Sequence, residues 1–162
     1  MNQEVSYIIN QLRINGETLA VAESLTGGGL GALITAVPGA SDVFIGGVTA
    51  YSSLAKESQL KVSHALLSEH GAVSEEVAVA MADGSREIFG STWGISTTGV
   101  AGPGESQGVR PGTVWIAISG PINQSTLLEL QGERESVRNA TIASAITTFA
   151  RILGNLTPSP TE

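Results

Sequence analysis

The chain has 162 residues, 41% of them hydrophobic, with 8 Lys and Arg against 15 Asp and Glu, a formal net charge of -7 and no cysteine. That length suits one compact domain, expected over residues 1–156 ahead of a disordered Pro-rich tail at 157–162. The acidic balance argues against nucleic acid or an anionic membrane as a partner, and the missing thiols exclude disulfides, thiolate nucleophiles and Cys-ligated metals.

In chain order, Val5, Ile8, Ile9 and Leu12 fall at helical spacing, and the spacing predicts an opening helix over 4–14 that "NGE" ends. This N-terminal segment holds Glu4 and has neither a basic run nor a long apolar core, so it does not read as a secretion signal. No apolar run approaches the ~18 residues of a membrane span, and a cytoplasmic location is expected. "TLAVAE", 18–23, reads as a buried strand. Beyond Gly27, Gly28 and Gly29, the residues Leu30, Leu33, Ile34 and Val37 continue at 3.6 spacing until Pro38-Gly39 stops them, which gives a strand, a glycine turn and a helix.

"VFIGGVTAYS", 43–52, has strand composition with Gly46 and Gly47 inside it, and "SSLAKESQLKV" follows as a short helix. Ser74 is placed to cap a helix over 74–89, with Glu75 and Glu76 in its first turn where carboxylates favour the dipole. Three strands then come in sequence, at 93–102, 112–119 and 125–132, the last two joined by a hairpin. A long helix from "ERESVRN" onward closes the chain on an apolar face of Val137, Ile142, Ala145, Ile146, Phe149 and Ile152. Alternating elements early and neighbouring strands late imply an α/β fold, a three-layer α/β/α sandwich on a mixed, mostly parallel sheet.

Three stretches carry chemistry. In an open α/β sheet, ligands bind beyond the carboxyl ends of the strands, and Ser24 stands there. The turn after it, Thr26 to Gly29, opens a helix whose free N–H groups can meet an anion or a developing oxyanion without a Cβ in the way. An N-cap at Ser24 or Thr26, with glycines that serve close packing, accounts for the same residues. The turn fits neither the phosphate loop that ends in Lys-Ser/Thr nor the Gly-flanked nucleophile serine of hydrolases.

A serine nucleophile needs a base. His64 and His70, six apart and about 120° from each other on a helix, offer neither an obvious base nor a metal pair. Lys56 lies near the start of a helix just after Tyr51, where the dipole and partial burial would lower its pKa toward that of a usable base; an ordinary solvated lysine is the plainer alternative. The third stretch, "STTGVAGPGESQGVRPGTVW" at 96–115, runs from Thr97 and Thr98 through Gly99, Gly102 and Gly104, and its backbone can either bind a substrate oxygen or simply form a long turn.

In this order, "AESLTGG" (22–28), "AYSSLAK" (50–56), "HGAVSEEV" (70–77), "TGVAGP" (98–103) and "PGTVW" (111–115) resemble the CinA C-terminal domain family. These competence/damage-inducible proteins include nicotinamide mononucleotide deamidases. The resemblance spans about residues 4 to 153. It implies hydrolysis of the carboxamide of nicotinamide mononucleotide to nicotinic acid mononucleotide and ammonia, with no cofactor and no metal, in pyridine nucleotide salvage. By position it makes Ser24 the nucleophile, Lys56 the general base and Tyr51 a hydroxyl that relays the proton or orients the pair. It also places Thr26, Gly27, Gly28, Thr98, Gly99, Gly102 and Arg134 in the nucleotide site, and implies a homo-oligomer, by default a dimer.

The sequence departs from the family at three points. Leu25 stands where many members carry cysteine. The 104–110 loop is less glycine-rich than the family form. The molybdopterin-binding-like domain of many members is absent from the 162 residues, so the pyrophosphatase activity that accompanies it is not expected. A catalytically silent nucleotide-binding module and an amidase for another small amide are the competing readings.

Overall fold

The computed structural model describes residues 1–156, and the expected tail at 157–162 lies outside them. In chain order the elements are α1 (Asn2–Asn15), β1 (Leu19–Glu23), α2 (Gly29–Thr35), a 3-10 turn (Ala40–Asp42), β2 (Phe44–Thr49), α3 (Ser53–Leu60), α4 (His64–His70), α5 (Glu75–Phe89), β3 (Trp93–Gly99), β4 (Thr113–Ser119), β5 (Gln124–Glu129) and α6 (Arg134–Leu156). The five strands form one sheet in the order β2-β1-β3-β4-β5, with helices on both faces. The α/β/α layering is as the alternation of elements implied.

The sheet is mixed, and its pairings divide evenly: β1 runs parallel to β2 and β3, whereas β3–β4 and β4–β5 are antiparallel. The reason lies in the connections. A parallel return needs a crossover of a dozen residues or so, which α2 and then α3 to α5 provide, while β4 and β5 are joined by only the Gly120–Asn123 link. The helix α4 was not foreseen from the sequence. It begins where Ser63 Oγ accepts from Leu66 N at 3.1 Å.

The two faces of the sheet differ in the size of their side chains. Leu19, Val21, Trp93, Ile95, Val114, Ile116 and Ile118 fill the space beneath α1, α2 and α6. Trp93 meets Phe149 of α6 edge to face with ring centroids 5.3 Å apart. The opposite face carries Ala22, Gly94, Ser96 and Ala117, and α5 settles almost onto the backbone there: a Cβ at Gly94 would stand 2.3 Å from Ala82 O. Ser96 Oγ donates to Ala78 O at 2.5 Å, and Thr98 Oγ1 to Ala72 O at 2.7 Å. Small and hydroxylic residues thus bring the α3–α5 layer within reach of the strand ends, which is where the site forms.

Candidate active site

Side chains alternate across a strand, so neighbours at the end of β1 leave by opposite faces. Val21 and Glu23 turn toward α2, and Ala22 and Ser24 toward the α3–α5 layer. Ser24 N still donates to Thr97 O at 2.9 Å, which continues the β1–β3 ladder by one residue and fixes the serine backbone.

On the α3 side, Ser52 Oγ caps the helix by accepting from Ala55 N, and Lys56 follows one turn in. Its side chain is only 2% exposed. Nζ reaches two oxygens, Ser24 Oγ at 3.1 Å and Ala50 O at 3.1 Å. Among the described residues no carboxylate pairs with it, and burial alone lowers its pKa from the usual 10.5 to about 8. The helix position expected to depress the lysine is present, but desolvation is the cause. The Ala50 carbonyl aims the amine at the hydroxyl, which gives a serine and a partly deprotonated lysine in direct hydrogen-bond contact.

A cavity of about 390 Å³ opens on this pair, walled by Tyr51, Ser52, Thr98, Gly99, Ala101, Gly102 and Arg134 together with Ser24 and Lys56. Seven residues singled out from the sequence therefore meet in one place: Ser24, Tyr51, Lys56, Thr98, Gly99, Gly102 and Arg134. Their contacts differ from the expected ones in part. Tyr51 is 58% exposed, and its hydroxyl accepts from Arg134 at 2.7 Å. The second terminal nitrogen of Arg134 donates to Gly102 O at 2.8 Å, so this one side chain ties α6 to both the tyrosine and the 100–112 loop. The Thr98 hydroxyl is engaged by the Ala72 carbonyl.

Thr26, Gly27 and Gly28 do not line this cavity. Thr26 is fully buried, its hydroxyl 2.7 Å from that of Thr97. The free N–H groups expected at the start of α2 are occupied: the Glu23 carboxylate accepts from Gly28 N at 3.1 Å, Leu30 N at 3.0 Å and Gly31 N at 2.8 Å. Gly27 and Gly28 adopt left-handed backbone, φ 60° and 93°, which a side chain would resist and which folds the turn over its own carboxylate. The glycines serve an internal anion.

Two participants had gone without a role. Glu23 had only its place beside Ser24 to mark it. Arg138 donates to Leu25 O at 3.0 Å and Thr26 O at 3.1 Å, and pins the turn from above. One signal was in the sequence: Arg134 and Arg138 stand four apart on one helix face, in a chain with only 8 basic residues. Among the described residues no group of three His, Asp or Glu could hold a metal ion, and no helix is long and apolar enough to cross a membrane.

A layered α/β/α domain with a buried serine–lysine pair at its strand ends finds its match among known families. The model of the CinA C-terminal domain matches residues 2–153, and the chain belongs to that family. It is 46% identical over 145 residues to a CinA-like protein of Synechococcus sp. (strain RCC307), covering 87% of this chain and 35% of that protein. It is 45% identical over 152 residues to one of Parasynechococcus marenigrum (strain WH8102), covering 91% and 36%. The chain therefore spans about a third of the length of these curated relatives. The crystal structure of the competence damage-inducible protein A of Klebsiella pneumoniae superposes with a TM-score of 0.92 at 28% identity, covering 96% of this chain and 98% of that one.

Proposed function

We propose that the protein is a serine–lysine amidohydrolase that cleaves the carboxamide of nicotinamide mononucleotide to give nicotinic acid mononucleotide and ammonia. The observation that carries this reading is Lys56 Nζ, buried without an acidic partner among the described residues and 3.1 Å from Ser24 Oγ. A lysine in that setting is a base, because solvent is too remote to keep it fully charged.

In the first half-reaction the neutral Lys56 amine takes the Ser24 proton as Oγ attacks the carboxamide carbon. The resulting ammonium then gives that proton to the departing nitrogen, so ammonia leaves and an ester remains on Ser24. In the second half-reaction Lys56 takes a proton from water, the hydroxyl adds to the ester carbon, and the serine recovers its proton as the acid departs. Tyr51 and Arg134 stand at the wall as a linked pair that meets the remainder of the substrate.

The anionic end of a mononucleotide needs a cationic or N–H-rich seat. Because α2 is closed by Glu23, Arg134 and the backbone of Gly99 to Gly102 are the groups left to provide it, in a chain whose net charge is negative. The test is ammonia release from nicotinamide mononucleotide beside nicotinamide riboside and free nicotinamide. Release from the mononucleotide alone supports the reading. Equal release from all three points to a general small-amide amidase, and none from any points to a binding module.

A further inference from the structure

Glu23 is 2% exposed and adjacent in sequence to Ser24. A carboxylate facing the cavity from that position would hold Lys56 as an ammonium. Strand alternation sends it the other way, into the amino end of α2, where both oxygens are taken: Oε2 by Gly28 N and Leu30 N, Oε1 by Gly31 N. Its main chain is held equally firmly. Glu23 pairs with Thr49 on β2 and with Thr97 on β3, and Glu23 O accepts from Ala50 N at 2.8 Å. Ala50 is also the residue whose carbonyl aims Lys56 Nζ.

We infer that Glu23 is a positioning residue for the reaction: its carboxylate closes the amino end of α2 and thereby fixes the Ser24 turn and the Ala50 carbonyl in register, so that hydroxyl and amine stay in contact. The inference rests on Ser24 acting as the nucleophile. Arg138 holds the middle of the Ser24–Gly28 turn through Leu25 O and Thr26 O, and the turn is further fixed at its two ends. At one, Ser24 N is tied to β3; at the other, Gly28 N is tied to Glu23. Without the carboxylate, three N–H groups lose their acceptor and the left-handed pair Gly27–Gly28 loses its tie to the end of β1, so Ser24 Oγ is held less closely against Nζ even with Arg138 in place.

The experiment uses the full chain and two variants. Glu23→Gln keeps the shape but turns an NH2 group toward backbone donors. Glu23→Ala leaves a carboxylate-sized gap. Ser24 is titrated with phenylmethanesulfonyl fluoride, its modification followed by intact mass, so that nucleophile positioning is read without the proposed substrate. The expected loss in Glu23→Gln is about ten- to a hundredfold in both labelling rate and kcat, with KM changed less than about threefold, as for a misplaced reacting atom. In Glu23→Ala, formate restores labelling and turnover in part, and chloride at equal ionic strength does not. Folded variants that label and turn over like the wild type overturn this inference alone. A wild-type Ser24 that resists labelling overturns the nucleophile reading and this inference with it. A Glu23→Gln loss that is the same in kcat and in folded fraction reduces Glu23 to a support of the fold, and equally overturns it.

Discussion

Two buried charges flank the end of β1, and the protein treats them in opposite ways. On the α2 side Glu23 receives three backbone N–H bonds. On the α3 side Lys56, equally buried, has only the Ser24 hydroxyl and one carbonyl among the described residues, and its pKa falls to about 8. A carboxylate with its acceptor sites filled is an anchor with no free valence for chemistry. An amine left short of partners cannot hold its proton firmly, which is the condition for a base near neutral pH. The difference between the two faces is one of completeness: one buried polar group has its sites filled and the other is left short of partners.

The sharpest break in that contrast is to remove the reagents. Ser24→Ala and Lys56→Ala should each lower turnover by about a thousandfold or more, with the double variant little worse than either single one, because nucleophile and base act as a unit. Turnover measured beside circular dichroism checks this. A folded Ser24→Ala protein with near-wild-type rate would sink the covalent mechanism.

Next in size is the anion seat. If Arg134 and the glycine loop receive the phosphate in place of the closed α2 terminus, removal of the phosphate should lower kcat/KM by about ten- to a hundredfold, since remote binding energy orients the carboxamide at Ser24. Comparison of the mononucleotide with its riboside measures that step. Arg134→Met should erase most of the difference, with a smaller loss on the riboside because Tyr51 and Gly102 O lose their common tie at the wall. A variant that still prefers the mononucleotide tenfold would place the seat elsewhere.

How far the sequence foretold this contrast differs between its halves. Ser24 and Lys56 could be singled out as a hydroxyl at a strand end and an amine near a helix start, each with a plainer reading beside it, and only the resemblance of five ordered motifs to one family gave them, with Tyr51, their expected roles. The strands and α5 were legible from apolar periodicity and from Ser74, which caps as expected by accepting from Val77 N at 3.3 Å. The even split of strand directions was less so, because direction depends on what connects the strands. The filled terminus of α2 was missed for a different reason: glycines after a strand suit an external anion and an internal one alike, and only the alternation of β1 says which way Glu23 turns. Arg138 was missed because its work is done on carbonyls 112 and 113 positions away, for which no local pattern exists.

A lysine kept short of partners must cost the fold something, and the sign of that cost is a sharper test than its size. Between about pH 8 and 10.5 the unfolded chain holds the Lys56 proton and the folded chain does not, so stability rises with pH across that window. Below pH 8 both states bind the proton and the cost is present in full, roughly 3 kcal/mol for a shift of this size. Lys56→Met should therefore be inactive yet more stable than the wild type at pH 7 by about 1–3 kcal/mol, the gain shrinking as pH approaches 10.5. Thermal unfolding of both proteins between pH 6 and pH 10 reads this directly, and the kcat/KM profile should show its acid limb near pH 8. A less stable Lys56→Met protein would mean that the amine is structurally compensated after all.

The smallest effect on turnover belongs to a buried hydroxyl pair on the α2 side, where a completed hydrogen bond predicts a stability cost without chemistry. Thr26 and Thr97 share one hydrogen bond of 2.7 Å, fully buried and away from the cavity wall. Thr97→Val keeps the volume and strands the Thr26 hydroxyl, at a cost of about 1–3 kcal/mol for an unsatisfied buried group. Thr26→Val together with Thr97→Val removes both polar partners and should regain most of that loss, since an apolar pair of the same shape needs no bond. In all three proteins Ser24 N keeps its Thr97 carbonyl, which the substitution leaves in place, so kcat should stay within about threefold of wild type. Urea unfolding of the two single variants and the double one, with turnover measured on the same samples, tests both halves. If Thr26→Val raises KM while leaving stability intact, Thr26 touches substrate and the division between a completed face and an open one fails at this residue.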